Sequence, residues 1–429
     1  MRRTVRDICA DMSTARDTSI YDAVILGAGA SGLVCAMTAS ARGRSVLVID
    51  HGAKPGRKLS ITGGGKCNLS NRSIIPGDYS GENPDFCRSA LSRFSVKDML
   101  DLAASAGIPL EEREHGQLFC IRSAKDVVNF LVAQCRKNGC ALALEEKILG
   151  VERTTADEEP PLFTVRTSLG AYRSEKVVVA TGGPAWPQVG ATGTGYEIAR
   201  SFGHAIVSIR PALCGFVMER NWPLSALSGI SVPAGIRVIH PARAQSARGV
   251  MKNAPEQIAA AEALPLLFTH KGLSGPAALQ ASLYWRKGAV LRVDFLPCVR
   301  TDALFDAPGA GKLLCRTILK KHLPDRLCDA LLPEASGAKK TAELSRRERT
   351  DIGAMVHAHD LIPVGTEDFS RAEVTAGGVS TRDVSSRNME SNRQTGLYFC
   401  GEVLDVTGRL GGYNLHWAFA SGMAAGNSI

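Results

Sequence analysis

The sequence has no Cys-x-x-Cys pair: the closest of its 12 cysteines are Cys135 and Cys140. That absence removes the common zinc-ribbon and thioredoxin signatures, and no metal site is expected. An apolar leader is also missing. Met1 to Ile20 alternates Arg2, Arg3, Arg6 and Arg16 with Asp7, Asp11 and Asp17, which is not the pattern of a secretory signal. The thiols are therefore expected to be reduced, packed as small hydrophobes in a soluble, cytoplasmic protein. Nor does any hydrophobic run read as a membrane span. Ala23 to Ala41 carries no charge, but Gly27, Gly29, Gly32, Ser31, Thr38 and Ser40 interrupt it, as a buried strand turning into a helix would.

What the sequence does have is glycine, 43 in 429 residues, which needs a local explanation because glycine costs chain entropy unless the backbone uses its freedom. Charged residues at 22% and hydrophobic ones at 45% argue against disorder, a coiled coil or a fibre. The length suggests two or three domains. The net charge of +9 permits an anionic partner.

Tyr21 to Leu26 is a short apolar run suited to a buried parallel strand. Gly27-Ala-Gly-Ala-Ser-Gly32 follows at once, then a helical stretch from Leu33 to about Arg42, and a second apolar strand, Ser45 to Ile49, ending at Asp50. A lone GxGxxG is weak, but strand, glycine turn, helix and terminal acid together form the dinucleotide-binding context. Gly27 allows the tight turn, Gly29 lets the backbone approach a pyrophosphate, and Gly32 lets helix and strand pack closely. The amino terminus of that helix offers N–H groups to phosphate, and Ala30 and Ser31 belong to the turn before it. Asp50 should accept from the adenosine ribose, and an acid there disfavours a 2′-phosphate. Two later segments favour FAD over a plain NAD domain. Glu175 to Ala180 reads as a buried strand ending in Thr181-Gly182-Gly183. Gly396 to Glu402 runs as a strand into Gly401-Glu402, then a glycine turn and an apolar helix from Tyr413 to about Ala425.

The segments Lys54 to Asn68 (KPGRKLSITGGGKCN), Thr181 to Pro187 (TGGPAWP) and Leu266 to Pro276 resemble the BaiN/RdsA family of NAD(P)H/FAD-dependent flavoproteins. So do Ala372 to Val379 and Met389 through Asn414, in the same order along the chain. The resemblance implies an α/β protein: a two-part Rossmann-like FAD-binding domain with an inserted α+β region, a small β-barrel with a helical subdomain. The expected boundaries are an amino-terminal extension at 1–20, the first FAD-binding part at 21–189, the inserted substrate domain at 190–371 and the second FAD-binding part at 372–429. Short β-like runs at Ala205–Ile209, Ile236–Ile239 and Val290–Phe295, then a helical stretch from Ala310 to about His357, agree with it.

One branch of that family looks like reductases of conjugated double bonds in small molecules, the other like dihydrouridine synthases acting on ribosomal RNA. Gly116 to Cys120, Ser282 to Trp285 and Gly408 to Tyr413 are closer to the second; His416 departs from it, where Gln is expected. The shared chemistry would be reduction of FAD by NADH or NADPH, hydride transfer to the β-carbon of a C=C conjugated to a carbonyl, and protonation of the α-carbon. By this resemblance the cofactor set comprises Gly27, Gly29, Ala30, Ser31, Gly32, Asp50, Lys58, Gly64, Gly65, Asn68, Thr181, Gly182, Gly183, Gly401, Glu402, Gly412, Tyr413 and Asn414. Lys66 either adds charge at an anionic edge of the ring or belongs to a strained turn beneath it. For the proton, Cys120, Cys67 and His270 are the catalytic candidates, against Tyr413 and water.

Charge separates the substrate readings. Residues 42–72 carry Arg42, Arg44, Lys54, Arg57, Lys58, Lys66 and Arg72 against Asp50 alone, and residues 237–287 are also basic. Two such segments suit a ribosomal RNA partner whose uracil is flipped towards the flavin. The alternatives are reduction of a small conjugated ketone, and a flavin-containing RNA-binding or assembly factor with little catalysis. No RRM or KH signature appears, no second GxGxxG turn is evident for the nicotinamide, and no stable protein partner is expected.

Overall fold

Val, Ile and Leu in short runs build a seven-stranded central sheet. Its strands are β1 (Ile20–Leu26), β2 (Val46–Ile49), β3 (Ala141–Ala143), β4 (Ile148–Arg153), β5 (Phe163–Thr167), β6 (Ala171–Val179) and β7 (Leu397–Phe399). The order is β3-β2-β1-β6-β5-β4, with β7 also on β6. β1 pairs in parallel with β2 and β6, β2 with β3, and β6 with β7, while β4, β5 and the start of β6 form an antiparallel meander. Ala23 to Leu26 are wholly buried, as expected of parallel strands covered on both faces. The computed structural model describes residues 20–154, 162–241, 257–258 and 263–429. The amino-terminal extension before Ile20 lies outside the described residues, as do Arg243, Arg248, Lys252, Glu256 and Glu262 of the basic segment 237–287.

Four helices matter for the site: α1 (Ala30–Ala41), α2 (Arg57–Ile61), α3 (Ala124–Lys137) and α4 (Tyr413–Gly426). α1 and α4 are buried almost all round and pack on each other. Glycine permits the approach: a Cβ at Gly422 would lie 2.5 Å from the Ser31 carbonyl oxygen. His416 of α4 is 1% exposed. Its Nδ1 lies 2.9 Å from Ser70 Oγ and its Nε2 3.0 Å from the Phe94 carbonyl oxygen. Here it is a core crosslink between α4 and the strand Asn68–Asn71, and burial pushes its imidazole down to about 4.

The chain divides into two compact units, Met1–Arg210 with Val374–Ile429, and Pro211–Glu373. The first unit extends past the expected boundary at residue 189 for a physical reason. The strand at Ile206–Ala212 pairs with Val374–Val379, and Ser380 N–H donates to the Ala205 carbonyl at 2.9 Å.

The second unit has its own core around Phe216, Phe268, Leu291 and Phe295. Its sheet has eight strands, all antiparallel, and its path runs from His359–Leu361 at one end to Gly365–Thr366 at the other. Those end strands are separated by Ile362, Pro363 and Val364 alone, so the sheet curls back on itself as a barrel-like layer. The expected helical stretch is broken into Cys315–Leu319, Asp325–Leu331, Glu334–Gly337 and Arg346–His357. Pro324 and Pro333 occupy the N-cap positions of the second and third, where proline cannot continue the preceding turn. Among the described residues no helix is long and apolar enough to cross a membrane.

Candidate functional site

Gly27, Asp50, Gly182 and Gly401 follow the carboxyl ends of β1, β2, β6 and β7, the position at which open α/β sheets hold ligands. Gly27 has φ +110°, and a Cβ there would lie 2.6 Å from the Ala180 carbonyl oxygen. A Cβ at Gly32 would lie 2.0 Å from the Gly27 carbonyl oxygen. Both glycines are forced by close packing. Gly29, Gly64, Gly65 and Gly182 differ: among the described residues nothing stands within 4 Å of a Cβ at any of them. Gly29 precedes α1, whose start at Ala30 and Ser31 receives no side-chain cap among the described residues. Uncapped N–H groups beside open backbone form a cradle that fits a pyrophosphate.

Asp50 is tied to that turn. Its Oδ2 accepts from Ala28 N–H at 2.8 Å and its Oδ1 from Gly52 N–H at 2.7 Å, with the Arg57 guanidinium 3.4 Å away. Arg57 also lies 2.8 Å from His51 Nε2 and fills the space beside Gly190. Its role escaped the sequence reading although it sits in the quoted Lys54–Asn68 segment, because side-chain direction is not legible there.

The two ends of the chain join at Glu402. Its Oε2 accepts from Lys58 Nζ at 2.7 Å and its Oε1 from Thr375 N–H at 2.9 Å. Gly401 has φ +79°, and a Cβ there would stand 2.3 Å from Ser31 Oγ, so the end of β7 rests against the start of α1. Lys58 and Glu402 side chains are 29% and 24% exposed, which leaves their pairing only partly screened. Lys58→Met is expected to weaken cofactor affinity about tenfold, near 1.4 kcal/mol, with little further loss on adding Glu402→Gln. Titration calorimetry of the apoprotein checks this; fully additive losses would mean the pair does not act as a unit.

Thr181 to Gly183 pack against Thr375 and Tyr196. A Cβ at Gly183 would lie 2.5 Å from Thr375 Oγ1 and 2.8 Å from the Tyr196 hydroxyl. Burial pushes the Tyr196 phenol up. Neither Thr181 Oγ1 nor the Tyr196 hydroxyl has a hydrogen-bond partner among the described residues. Thr375 and Tyr196 were not singled out from the sequence, though Thr375 lies in the Ala372–Val379 motif. At the start of α4, Gly412 has φ +97° and a Cβ there would lie 2.3 Å from the Ser70 carbonyl oxygen. Asn414 is occupied in a turn: its Oδ1 accepts from Gly408 N–H at 2.8 Å and its Nδ2 donates to the Gly408 carbonyl at 2.9 Å. Tyr413 is buried edge-on to Tyr79 at 6.3 Å. The Asn68 carboxamide lies 2.9 Å from that of Gln117.

The catalytic candidates are placed differently from what their residue types suggested. Cys67 and Cys120 are both 0% exposed, at the paired ends of the strands Asn68–Asn71 and Gln117–Cys120. His270 is exposed on a turn of the second unit, between Leu264–Phe268 and Gly272–Ser274. Lys66 Nζ donates to the carbonyls of Ile121 at 2.7 Å and Arg122 at 3.2 Å, which fits the structural reading of that residue. The basic run at 42–72 is partly neutralised from elsewhere: Arg44 pairs with Asp22, Lys58 with Glu402 and Arg72 with Glu112, while Arg57 pairs with Asp50 of the run itself. Among the described residues no group of three or more His, Cys, Asp or Glu is placed to hold a metal ion.

With this geometry in place, similarity to known proteins adds the lineage. The HI0933-like protein Rossmann domain family matches residues 21–428. The chain is 39% identical over 418 residues to a ribosomal RNA dihydrouridine synthase of Escherichia coli, covering 95% of this chain and 98% of that one. It is 38% identical to a protein of the same name from Haemophilus influenzae, covering 95% and 98%. A 3-dehydro-bile acid delta(4,6)-reductase of Clostridium scindens is 29% identical, over 94% of this chain and 98% of its own. The chain belongs to the HI0933-like family, to which the BaiN/RdsA resemblance of its motifs also leads.

Proposed function

We propose that this protein is an FAD-dependent oxidoreductase that uses NADH or NADPH to reduce a uridine of 23S ribosomal RNA to dihydrouridine. The observation that carries the flavin reading is the Lys58–Glu402 contact, which with Gly401 against Ser31 joins the segment after β7 to the amino-terminal part of the chain. When bound, FAD would accept a hydride from the nicotinamide and pass it to the β-carbon of a C=C conjugated to a carbonyl, C6 in uridine. Gly29, Ala30 and Ser31 would hold the pyrophosphate, Asp50 the adenosine ribose, and Glu402 with Lys58 the ribityl side. Gly64 and Gly65, open above the strand Asn68–Asn71, would let backbone N–H groups approach the anionic edge of ring or substrate.

The proton that completes the reduction at C5 is assigned to a group other than Cys67 and Cys120, water first, because both thiols are buried away from the surface. Cys120→Ala should therefore keep the single-turnover rate of flavin reoxidation by substrate within about threefold, where general-acid catalysis is typically worth about 100-fold or more. A loss on that larger scale would return the thiol to the mechanism.

The RNA substrate is supported by the two relatives of that name, at 39% and 38% identity against 29% for the bile-acid reductase. Partial neutralisation of the basic run at 42–72 favours the small conjugated ketone as second reading. Deleting the gene and mapping dihydrouridine in 23S RNA separates them. Loss of a modified site supports the RNA substrate, and an unaltered map rejects it.

A further inference from the structure

We propose that Cys67 and Cys120 are a redox-active pair that a hydroperoxide converts reversibly to a disulfide, locking the Gly63–Gly65 turn. The strands Asn68–Asn71 and Gln117–Cys120 pair antiparallel with Asn68 opposite Phe119, so Cys67 faces Cys120 one rung further on. Cys120 N–H donates to the carbonyls of both Lys66, at 3.0 Å, and Cys67, at 3.2 Å. Both side chains are wholly buried at this end of the ladder. Residues directly opposite in such a ladder hold their Cβ atoms about 4.5–5.5 Å apart, and a disulfide needs about 3.5–4.5 Å. Closing that gap requires a small movement, and the chain is built to give it. Cys67 has φ +54°, a left-handed conformation uncommon for cysteine, and it follows Gly63, Gly64 and Gly65 at φ +56°, +65° and +84°.

The chemistry balances within the pair and its oxidant. Donation from the Cys67 thiol lowers the Cys120 thiol below its ordinary value, while Cys67 is held up, so Cys120 is the sulfur that attacks. Cys120 sulfur attacks one oxygen of hydrogen peroxide, an S–O bond forms, the O–O bond breaks, and the departing hydroxide takes the Cys120 proton as water. Cys67 sulfur then attacks the resulting sulfenic sulfur, the S–S bond forms, the S–O bond breaks, and the hydroxyl leaves with the Cys67 proton as a second water. Sulfur gives up two electrons and the peroxide takes them; a dithiol reverses the change.

Cys135 and Cys140 are also close to each other, but both are anchored to backbone carbonyls inside the helix packing. Cys135 Sγ donates to the Leu33 carbonyl at 3.5 Å and Cys140 Sγ to the Ala141 carbonyl at 3.5 Å, within the packing of α1 and α3. Cys67 and Cys120 instead lie beside exposed Lys66 and Ile121, whose segments Lys66 Nζ already joins. A disulfide would fix the turn that the proposed function sets over flavin and substrate. That consequence for activity rests on the proposed function; formation of the bond does not.

The test treats the purified holoprotein with hydrogen peroxide and maps its peptides by mass spectrometry without reduction. A Cys67–Cys120 linkage that dithiothreitol removes is expected. In Cys67→Ser, dimedone should instead trap a sulfenic acid at Cys120. Free thiols at both positions, or Cys135–Cys140 linking first, would overturn the proposal. Reductant-reversible loss of at least tenfold in NADH-dependent turnover, absent in Cys67→Ser, supports the lock; a linked protein with unchanged turnover overturns the lock alone.

Discussion

Gly32→Ala is expected to purify without flavin and with a fold weakened by about 1–3 kcal/mol, the usual cost of forcing extra volume into a packed site. The added Cβ would lie 2.0 Å from the Gly27 carbonyl oxygen and 3.3 Å from the Ala180 Cβ. The first is backbone, in a turn already held by Gly27 N–H donating to the Ile49 carbonyl at 2.8 Å, so no rotamer relieves the clash. α1 must move off β1, and its first turn moves with it. Gly29→Ala separates binding from folding: among the described residues nothing is within 4 Å of its Cβ and its φ is −81°. That variant should lose less than about 1 kcal/mol of stability, as for a poorer N-cap, while flavin affinity falls because a methyl group then faces the cradle. Flavin absorbance after purification and urea unfolding at pH 7 read the two effects. A flavin-replete Gly32→Ala protein would contradict the site.

The second large effect is a loss of stability in mild acid that belongs to His416. Its imidazole is pushed down to about 4 in the folded protein, from about 6.5 in the unfolded chain, because burial disfavours the cation. The unfolded state therefore binds a proton that the fold refuses. This stability is fully present above about pH 6.5 and is lost progressively as the pH falls towards 4. At pH 5 the linkage amounts to about 2 kcal/mol relative to pH 7. His416→Gln can still accept from Ser70 and donate to the Phe94 carbonyl, so its stability at pH 7 should stay within about 1 kcal/mol of the parent. Its decline from pH 7 to pH 5 should be smaller by about 2 kcal/mol. Urea unfolding of both proteins at the two pH values checks this, and identical declines would mean that His416 is not the titrating group.

The same residue shows how far the sequence could be read. That His416 departs from the expected Gln was legible; that it crosslinks α4 to the strand Asn68–Asn71 was not, since both partners are distant in sequence. Local patterns carried the fold well: strand, glycine turn, helix and Asp50 form contacts within about thirty residues. Lys58 and Glu402 were legible as members of one cofactor set, but their direct contact was not. Three features were not legible for lack of tertiary information. A run of basic residues cannot reveal that Asp22, Glu112 and Glu402, from outside it, pair with part of it. Nor can residue type show which way Cys67 and Cys120 point, or that Pro324 and Pro333 divide a helix-rich stretch into short pieces.

The central claim is reduction of uridine in ribosomal RNA by a flavin held between the two chain ends. Its most direct measurement combines purified, flavin-loaded protein with NADH or NADPH and 23S RNA from a strain lacking the gene. Nucleosides are then quantified by mass spectrometry alongside nicotinamide oxidation. The account predicts one new dihydrouridine per nicotinamide oxidised, at a single site, and none with Gly32→Ala. Nicotinamide oxidation that leaves the RNA unreduced would contradict it.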